Sequence, residues 1–277
     1  MTVVTPAEMR AKVQEWAEYS IGLVPTMGAL HAGHRSLVER AGAENDMVVV
    51  SIFVNPIQFG PGEDLARYPR PIGDDLEMLR GMDVDAVYMP RVEDMYPPGA
   101  TTRVLVGGVS EPLEGAARPG HFEGVATVVT KLFWAVEPDR AYFGQKDAQQ
   151  VAVVKRLAAD LDTGVEIVVC PIVREADGLA VSSRNVYLNP AERAAAASLS
   201  RALRTASESY QAGVRDEDAL KELMRQVIGR EPLARIEYAE LVDPGNFSSP
   251  GTLAVLAVSF GGTRLIDNHD LAQPYPG

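Results

Sequence analysis

Two of the four histidines in this chain stand three positions apart, in the segment PTMGALHAGHRS at residues 25–36. An apolar run precedes the segment and a helical pattern follows it, and two glycines let a ligand approach the backbone closely. The free amides and the dipole of such a helix start favour an anion. If the helix begins near Ala32, His31 and His34 lie about one turn apart and can donate to the same phosphate. Capping or surface histidines explain the spacing equally well.

A second polar cluster, FGQKDAQQ at residues 143–150, also follows an apolar run and opens a helical pattern. It supplies Lys146, Asp147 and Gln150. A lysine in the first turn opposes the helix dipole, which favours a ligand role for Lys146 over a solvated surface position. Asp147 and Gln150 are three residues apart and therefore share a helix face.

A third cluster, VSSRN at residues 181–185, places two hydroxyl groups directly before a guanidinium group. Ser182 and Ser183 can surround phosphate oxygens, and Arg184 can bind them with two parallel hydrogen bonds. Taken alone, this segment is explained more simply as a polar loop.

Apolar runs and helical patterns predict the elements that position these clusters. Buried strands are expected at residues 20–25, 47–54, 85–90, 140–144 and 165–173, with helices between most of them. This alternation predicts an α/β fold, a Rossmann-like doubly wound parallel sheet covered on both faces. Ligands bind such sheets at the carboxyl ends of strands, so we expect the histidine and lysine clusters on one rim.

The pattern changes near residue 174. Asn189, Pro190 and Glu192 are typical of a capped helix start that opens a long alanine-rich helix, and a second helix is predicted from about Asp216 to Gly229. The segments IEYAELVD, TLAVLAVSF and TRLIDN then predict a short-looped antiparallel sheet. We therefore expect two domains, residues 1–173 with the parallel sheet and residues 174–277 with a smaller α+β fold.

Composition excludes several classes of protein. The chain has 26 lysines and arginines against 38 acidic residues, a formal net charge of −12, and no basic cluster that would bind a nucleic acid. No apolar stretch approaches the roughly 18 residues that span a bilayer, and the opening MTVVTPAEMR does not resemble a signal peptide. We expect a cytoplasmic protein with neither a nucleic-acid nor a membrane partner. The single cysteine, Cys170, is expected to be a buried strand residue.

Together these motifs resemble a known family. HAGH is similar to the HxGH signature of the class I aminoacyl-tRNA synthetase and nucleotidylyltransferase superfamily, and SSRN is similar to its second, mobile phosphate-binding signature. More narrowly, PTMGALHAGH, FVNPIQFGPGEDLARYPR, RPGHFEGVATVVTKLF, FGQKDAQQ and READGLAVSSRNVYL resemble the pantothenate synthetase (pantoate–β-alanine ligase) family, in order and through nearly the whole chain. Val181 stands where members often carry methionine, which affects only local packing.

The resemblance implies ATP-dependent condensation of (R)-pantoate with β-alanine, through a pantoyl-adenylate, in pantothenate and coenzyme A biosynthesis. AMP and pyrophosphate are the implied by-products. His34, His31, Lys146 and Arg184 are the expected catalytic residues, with His34 as proton donor and Lys146 as the most damaging deletion. The implied nucleotide-binding residues are Met27, Gly28, Ala29, Leu30, His31, Ala32, Gly33, His34, Gly144, Gln145, Lys146, Asp147, Val173, Val181, Ser182, Ser183 and Arg184.

The same resemblance implies that Gln58 and Gln150 hold pantoate and that Asn55 and Tyr68 line the acid or amine pocket. ATP implies Mg²⁺, to which Asp74 or Asp75 could contribute, although adjacent acids at a helix start also suit the dipole. Arg118 is expected either to assist phosphate binding or to brace its loop, and His121 and His269 are expected to be structural. A homodimer is expected, as is closure of the smaller domain as a lid.

Three other functions compete with this one. An adenylyltransferase that joins AMP to a phosphorylated acceptor would need extra cations, whereas NPIQ and DAQQ offer neutral amides. A nucleotide-sensing module without turnover would leave the acid-binding glutamines unused. An aminoacyl-tRNA synthetase is poorly supported, because the chain is short and acidic and lacks an evident RNA-binding appendage.

Overall fold

The computed structural model describes residues 2–276, which form two compact units. The first unit comprises residues 2–144 and 153–170, and the second comprises residues 145–152 and 171–276. Within this described part of the chain, no helix has both the length and the apolar character needed to cross a membrane.

The first unit is built on a parallel sheet of six strands. They are β1 (Thr2–Val3), β2 (Ile21–Thr26), β3 (Met47–Ile52), β4 (Ala86–Tyr88), β5 (Arg140–Gly144) and β6 (Glu166–Cys170). Their order is β1-β4-β3-β2-β5-β6, and each neighbouring pair is parallel. Strand β2 has β3 on one side and β5 on the other, so successive strands are added in opposite directions from it. In such sheets a ligand binds outside the carboxyl ends of the strands at this switch point.

Helices cover this sheet. They are α1 (Pro6–Glu15), α2 (Ala32–Glu44), α3 (Ile72–Arg80), α4 (Val92–Met95), α5 (Glu114–Ala117), α6 (His121–Val136) and α7 (Ala148–Asp160). Helix α7 crosses from the second unit to the first between residues 152 and 153. Leu37, Val38 and Ala41 recur at helical spacing on α2 and pack on Val24 and Val50 of the sheet. The apolar face of α2 therefore fixes its first turn at the end of β2.

The second unit joins helices to an antiparallel sheet. Its helices are α8 (Pro190–Ala196), α9 (Ser198–Gln211) and α10 (Glu217–Gly229), and its strands are β7 (Ala234–Val242), β8 (Leu253–Phe260) and β9 (Thr263–Asp270), in the order β7-β8-β9. Leu256 and Phe260 of β8 pack with Leu203 of α9 and Met224 of α10. All eight residues of β8 are buried.

The predicted fold class is confirmed, since a parallel sheet is followed by a small α+β unit. The predicted cap of α8 is also confirmed, because the Asn189 side chain accepts hydrogen bonds from the amides of Ala191 and Glu192 at 3.0 Å. The single long alanine-rich helix was wrong: it is divided into α8 and α9 at Ala197. The lid role of residues 174–277 stays a prediction.

Candidate active site

The histidine pair lies at the start of α2, directly after the central strand β2. His31 caps the helix, since its Nδ1 accepts a hydrogen bond from the Gly33 amide at 3.1 Å. His34 Nδ1 in turn accepts one from the His31 amide at 3.3 Å. The centroids of the two rings are 4.1 Å apart. The structure therefore brings the two imidazoles together at the positive end of a helix dipole.

These hydrogen bonds set the tautomer of both rings. A ring nitrogen that accepts a backbone hydrogen is unprotonated, so each neutral imidazole carries its proton on Nε2, from which it can donate to a ligand. Gly33 is part of the arrangement, because a Cβ there would lie 2.9 Å from His31 Cε1. The His31 ring can lie against the first turn only where residue 33 has no side chain.

Asp75, on the first turn of α3, braces the loop before the histidines. The residue is only 2% exposed, and its carboxylate accepts hydrogen bonds from the amides of Ala29 at 2.9 Å and Leu30 at 2.7 Å. Gly28 and Ala29 both have positive φ, 79° and 51°, a conformation that costs a non-glycine residue roughly 1 kcal/mol or more. Two charge-assisted hydrogen bonds, each worth about 1.5–3 kcal/mol, offset that cost.

Each Asp75 oxygen already accepts a hydrogen bond from a loop amide, so its contacts in the structure are those of a loop brace, and its predicted contribution to a metal site stays a prediction. Asp74 is exposed on the same turn of α3. Residues 2–276 contain no group of three or more His, Cys, Asp or Glu side chains that could hold a metal ion. Mg²⁺ at this position would therefore take most of its ligands from phosphate and water.

The predicted acid-binding residues follow the end of β3. Gln58 is buried in the short 3₁₀ turn Pro56–Gln58, and its Nε2 donates to Met27 Sδ at 3.1 Å. Its Oε1 accepts from Asn55 Nδ2 at 2.9 Å. Tyr68 is buried as well, with its ring edge-on to Phe59 at 5.9 Å between centroids. The Gln58 carboxamide thus lies beside Met27, in the loop between β2 and α2.

Asn55 is held by three polar contacts, and its predicted place in the acid or amine pocket stays a prediction. It is 1% exposed, and besides Gln58 its amide donates to the Gly124 carbonyl at 3.0 Å and accepts from the Tyr96 hydroxyl at 2.8 Å. Gly124 lies so close that a Cβ there would be 2.5 Å from the Ile57 carbonyl oxygen. The start of α6 is therefore packed directly on the turn that carries Gln58.

Arg118 and His121 brace the same turn from the other side. Arg118 donates to Glu63 with two hydrogen bonds of 2.8 and 2.7 Å, and its Nη1 lies 3.0 Å from His121 Nε2. His121 Nδ1 donates to the Gln58 carbonyl oxygen at 2.9 Å. Burial, aided by the Arg118 charge, lowers the pKa of His121 from 6.5 to about 4. Between the two roles expected for Arg118, these contacts favour loop bracing.

In the second unit, Lys146 lies in the 3₁₀ turn Gln145–Asp147 that follows β5. Asn268 of β9 holds this turn: its Nδ2 donates to the carbonyls of Gln145 at 2.9 Å and Lys146 at 3.0 Å, and its Oδ1 accepts from Gln145 Nε2 at 3.1 Å. Lys146 Nζ lies 3.9 Å from Asp147 Oδ1. The main chain at the lysine is therefore fixed by one buried side chain. Gln150 is half-buried on the first turn of α7.

The serine cluster follows a hairpin of residues 173–181. The Val181 amide donates to the Val173 carbonyl at 2.9 Å, which places these two predicted nucleotide contacts side by side. Ser182 caps the 3₁₀ turn Ser183–Tyr187 by accepting from the Arg184 amide at 3.3 Å. Arg174 anchors the hairpin through two hydrogen bonds to the buried Asp267, of 2.7 and 3.0 Å.

Comparison with known proteins places this arrangement in a family. The family model of pantoate-β-alanine ligase matches residues 1–270. The chain belongs to that family. A pantothenate synthetase of Roseiflexus sp. (strain RS-1) is 58% identical over 271 residues, which cover 96% of this chain and 97% of the relative.

Solved structures of pantoate–β-alanine ligases agree with this chain over almost its full length. The pantothenate synthetase of Thermus thermophilus has a TM-score of 0.93 at 47% identity and covers 99% of both chains. The pantoate–β-alanine ligase of Francisella tularensis, whose structure contains β,γ-ATP and β-alanine, has a TM-score of 0.83 at 34% identity and covers 99% of this chain and 98% of its own. The predicted family and enzyme class are confirmed.

Three residues that brace candidate site residues were not identified as braces from the sequence. Asp75 had a detectable signal, since it lies on the apolar face of α3 with Leu79, and a carboxylate on a buried helix face needs a partner. Tyr96 and Asn268 had no such signal. Tyr96 contacts Asn55, which is 41 positions away along the chain. Asn268 contacts the turn at Lys146, which is 122 positions away.

We expect Asp75→Asn to lower the free energy of unfolding by about 1–3 kcal/mol and to raise the KM for ATP, because an amide can accept only one of the two loop hydrogens. Asp74→Asn is the matched control, with an expected change within about 0.5 kcal/mol. Urea denaturation and steady-state kinetics measure both. Equal effects of the two variants would contradict the bracing role, and a raised Mg²⁺ requirement in Asp74→Asn alone would support Asp74 as a ligand.

We expect His121 to make stability depend on pH. The pKa of this imidazole is 6.5 when it is exposed in the unfolded state and about 4 in the folded state, so the free energy of unfolding falls as the pH falls between these values. The total change is roughly 3 kcal/mol. In His121→Asn the amide keeps a donor for the Gln58 carbonyl and does not titrate.

The free energy of unfolding is measured by chemical denaturation from about pH 7 down to about pH 5. Most carboxylates titrate below this range, so their contribution is separated from that of His121. Wild type should lose stability over that range more steeply than His121→Asn. Parallel curves for the two proteins would show that the buried imidazole is not responsible.

We expect Asn268→Ala to lower kcat by about tenfold or more while changing the KM for pantoate little, because the turn that carries Lys146 loses its three hydrogen bonds. Asn246→Ala, in an exposed turn of the same unit, is the control. Steady-state kinetics on proteins with matched thermal melting checks this, and full activity in Asn268→Ala would rule out the positioning role.

Proposed function

We propose that this chain condenses (R)-pantoate with β-alanine at the expense of ATP and releases AMP and pyrophosphate. The observation that carries the proposal is the His31–His34 pair on the first turn of α2, in a chain that the pantoate–β-alanine ligase family matches over residues 1–270. The ATP analogue and β-alanine bound by the Francisella relative support the same substrates here.

In the first step, a pantoate carboxylate oxygen attacks the α-phosphorus of ATP in line, and the bond to the bridging oxygen of pyrophosphate breaks. Negative charge grows on the departing oxygens, so catalysis needs donors and positive charge at that point. The amides of the α2 start and the Nε2–H groups of His31 and His34 supply donors. Lys146 and Arg184 are the proposed cations, and His34 is the proposed proton donor to the leaving group.

We assign the orientation of pantoate to Gln58 and Gln150. An amide can donate to the carboxylate and accept from a hydroxyl of the same ligand, so two such side chains can fix both ends of a small hydroxy acid. Tyr68 borders this pocket in the proposal. Asn55 acts behind Gln58, because its amide is already engaged by Gln58, Gly124 and Tyr96.

In the second step, the β-alanine amine attacks the acyl carbon of the adenylate, the acyl–phosphate bond breaks, and AMP departs. The amine loses a proton as the amide forms. Ser182, Ser183 and Arg184 are proposed to hold the phosphate that becomes part of AMP. Exclusion of water would protect the activated acyl group from hydrolysis.

Mg²⁺ is proposed to arrive with ATP and to neutralise charge on its phosphates. Asp74 is the proposed carboxylate for it, because Asp75 is buried and already accepts hydrogen bonds from two loop amides. The dependence on ATP also supports the expected cytoplasmic location.

A homodimer is proposed from two exposed apolar side chains of the first unit. Leu105 is 77% exposed in a segment outside the helices and strands, and Trp134 is 71% exposed on α6. The Val104 amide donates to the Thr127 hydroxyl at 3.0 Å, so this segment runs along the helix that carries Trp134. Light scattering of wild type and Leu105→Asp tests this, and a monomeric wild type would refute it.

Product analysis tests the reaction. We expect pantoate-dependent exchange of labelled pyrophosphate into ATP without β-alanine, and AMP with pantothenate once β-alanine is added. Exchange without pantoate, or ATP cleavage to ADP, would refute the proposed ligase.

Lys146→Met should lower kcat/KM by about 100-fold or more, because a cation is removed from the charge that develops in the transition state. Lys155→Met, at an exposed position of α7, is the matched control and should retain activity. Equal activity of the two variants would exclude Lys146 from the catalytic residues.

A further inference from the structure

A short chain of hydrogen bonds leads from Tyr96 to the Gln58 carboxamide. The Tyr96 hydroxyl donates to Asn55 Oδ1 at 2.8 Å, and Asn55 Nδ2 donates to Gln58 Oε1 at 2.9 Å. Asn55 and Gln58 are 1% and 7% exposed, and the Tyr96 ring packs 6.2 Å from that of Phe53. Because water is largely excluded, each of these groups depends on its protein partner.

The contacts decide which way round the Asn55 amide is held. Its two N–H groups are directed to Gln58 Oε1 and to the Gly124 carbonyl, at 2.9 and 3.0 Å, so its oxygen must face a donor. Tyr96 is that donor. Burial raises the pKa of Tyr96 above its ordinary value of 10, so the phenol keeps its proton throughout the range of an assay.

The orientation is passed on to Gln58. Since Gln58 Oε1 faces an Asn55 N–H, its own NH₂ group must point the other way, where Nε2 lies 3.1 Å from Met27 Sδ in the loop between β2 and α2. A thioether is a weak acceptor. A carboxylate or hydroxyl oxygen of the substrate can replace the thioether at little cost. If the Gln58 carboxamide were flipped, its oxygen would face the substrate carboxylate, and two acceptors would repel each other.

We propose that Tyr96 is a positioning residue that acts through Asn55 to hold the Gln58 carboxamide with its NH₂ group toward the hydroxy-acid substrate. This inference rests on the proposed function, in which Gln58 binds pantoate. Tyr96 itself does not touch the substrate. Its contribution is to the affinity for the acid and not to the binding of ATP.

Tyr96→Phe removes the hydroxyl and keeps the ring. We expect the KM for pantoate to rise about tenfold, the equivalent of one hydrogen bond, with the KM for ATP unchanged. Tyr88→Phe is the control, because Tyr88 is a buried tyrosine of the same unit whose hydroxyl donates to a weak acceptor, Met95 Sδ, at 3.7 Å. Calorimetric titration with pantoate should show the same selective loss of affinity.

A double-mutant cycle separates positioning from general destabilisation. In a Gln58→Ala background, Tyr96→Phe should have no further effect on the KM for pantoate, since the group it orients is gone. The same tenfold rise in that background, or a parallel rise in the KM for ATP, would overturn the proposal. Asn55→Ser is a second variant that interrupts the chain while leaving Tyr96 in place, and it should reproduce the selective rise.

The result also distinguishes this proposal from the proposed function. A wild-type protein that forms no pantothenate from pantoate, ATP and β-alanine refutes the function itself. An active wild type with an unchanged Tyr96→Phe variant refutes only the role of Tyr96.

Discussion

The pair of hydrogen bonds from the Ala29 and Leu30 amides to Asp75 is the contact on which the geometry of the histidine pair depends. A loop with two successive residues at positive φ does not hold its shape unaided. The shape decides where α2 begins, and the helix start decides where the two imidazoles point. A carboxylate from α3 thus controls groups that lie more than 40 positions earlier in the chain. The negative charge of Asp75 remains tolerable beside an anion site because both of its oxygens are occupied by backbone hydrogens.

The same principle recurs at the other candidate residues. Gln58 is held through its carbonyl by His121 and through its side chain by Asn55, and the Lys146 turn is held by Asn268. Each holding residue is buried and makes at least two polar contacts. A buried polar group left without a partner costs about 1–3 kcal/mol, so losing one contact tends to displace the whole arrangement. Residues that never meet a ligand therefore decide the geometry of those that do.

The sequence predicted the sheet well because its inner strands are largely buried and are visible as apolar runs, as in MVVVSI of β3. It missed β1, whose two residues are too few for a pattern, and the break at Ala197, because alanine favours a helix on both sides. Motifs identified the residues whose chemistry suits phosphate or carboxylate. They could not identify Tyr96 or Asn268, because residue type and local spacing carry no information about contacts made over long stretches of chain.

The distribution of charge gives a physical reason for neutral amides at the proposed pantoate pocket. A carboxylate that must attack phosphorus loses nucleophilic strength when a cation neutralises it, whereas an amide donor holds it and leaves most of its charge in place. Arg118 reaches toward this pocket through His121, but its guanidinium is paired with Glu63 by two hydrogen bonds. Burial, aided by that same guanidinium, lowers the pKa of His121 to about 4, so the imidazole adds no positive charge at neutral pH. The proposed cations Lys146 and Arg184 then belong with the phosphates, where the leaving group gains charge. Neutral donors at the nucleophile and cations at the leaving group both favour the movement of electrons from the carboxylate toward the departing phosphate oxygen.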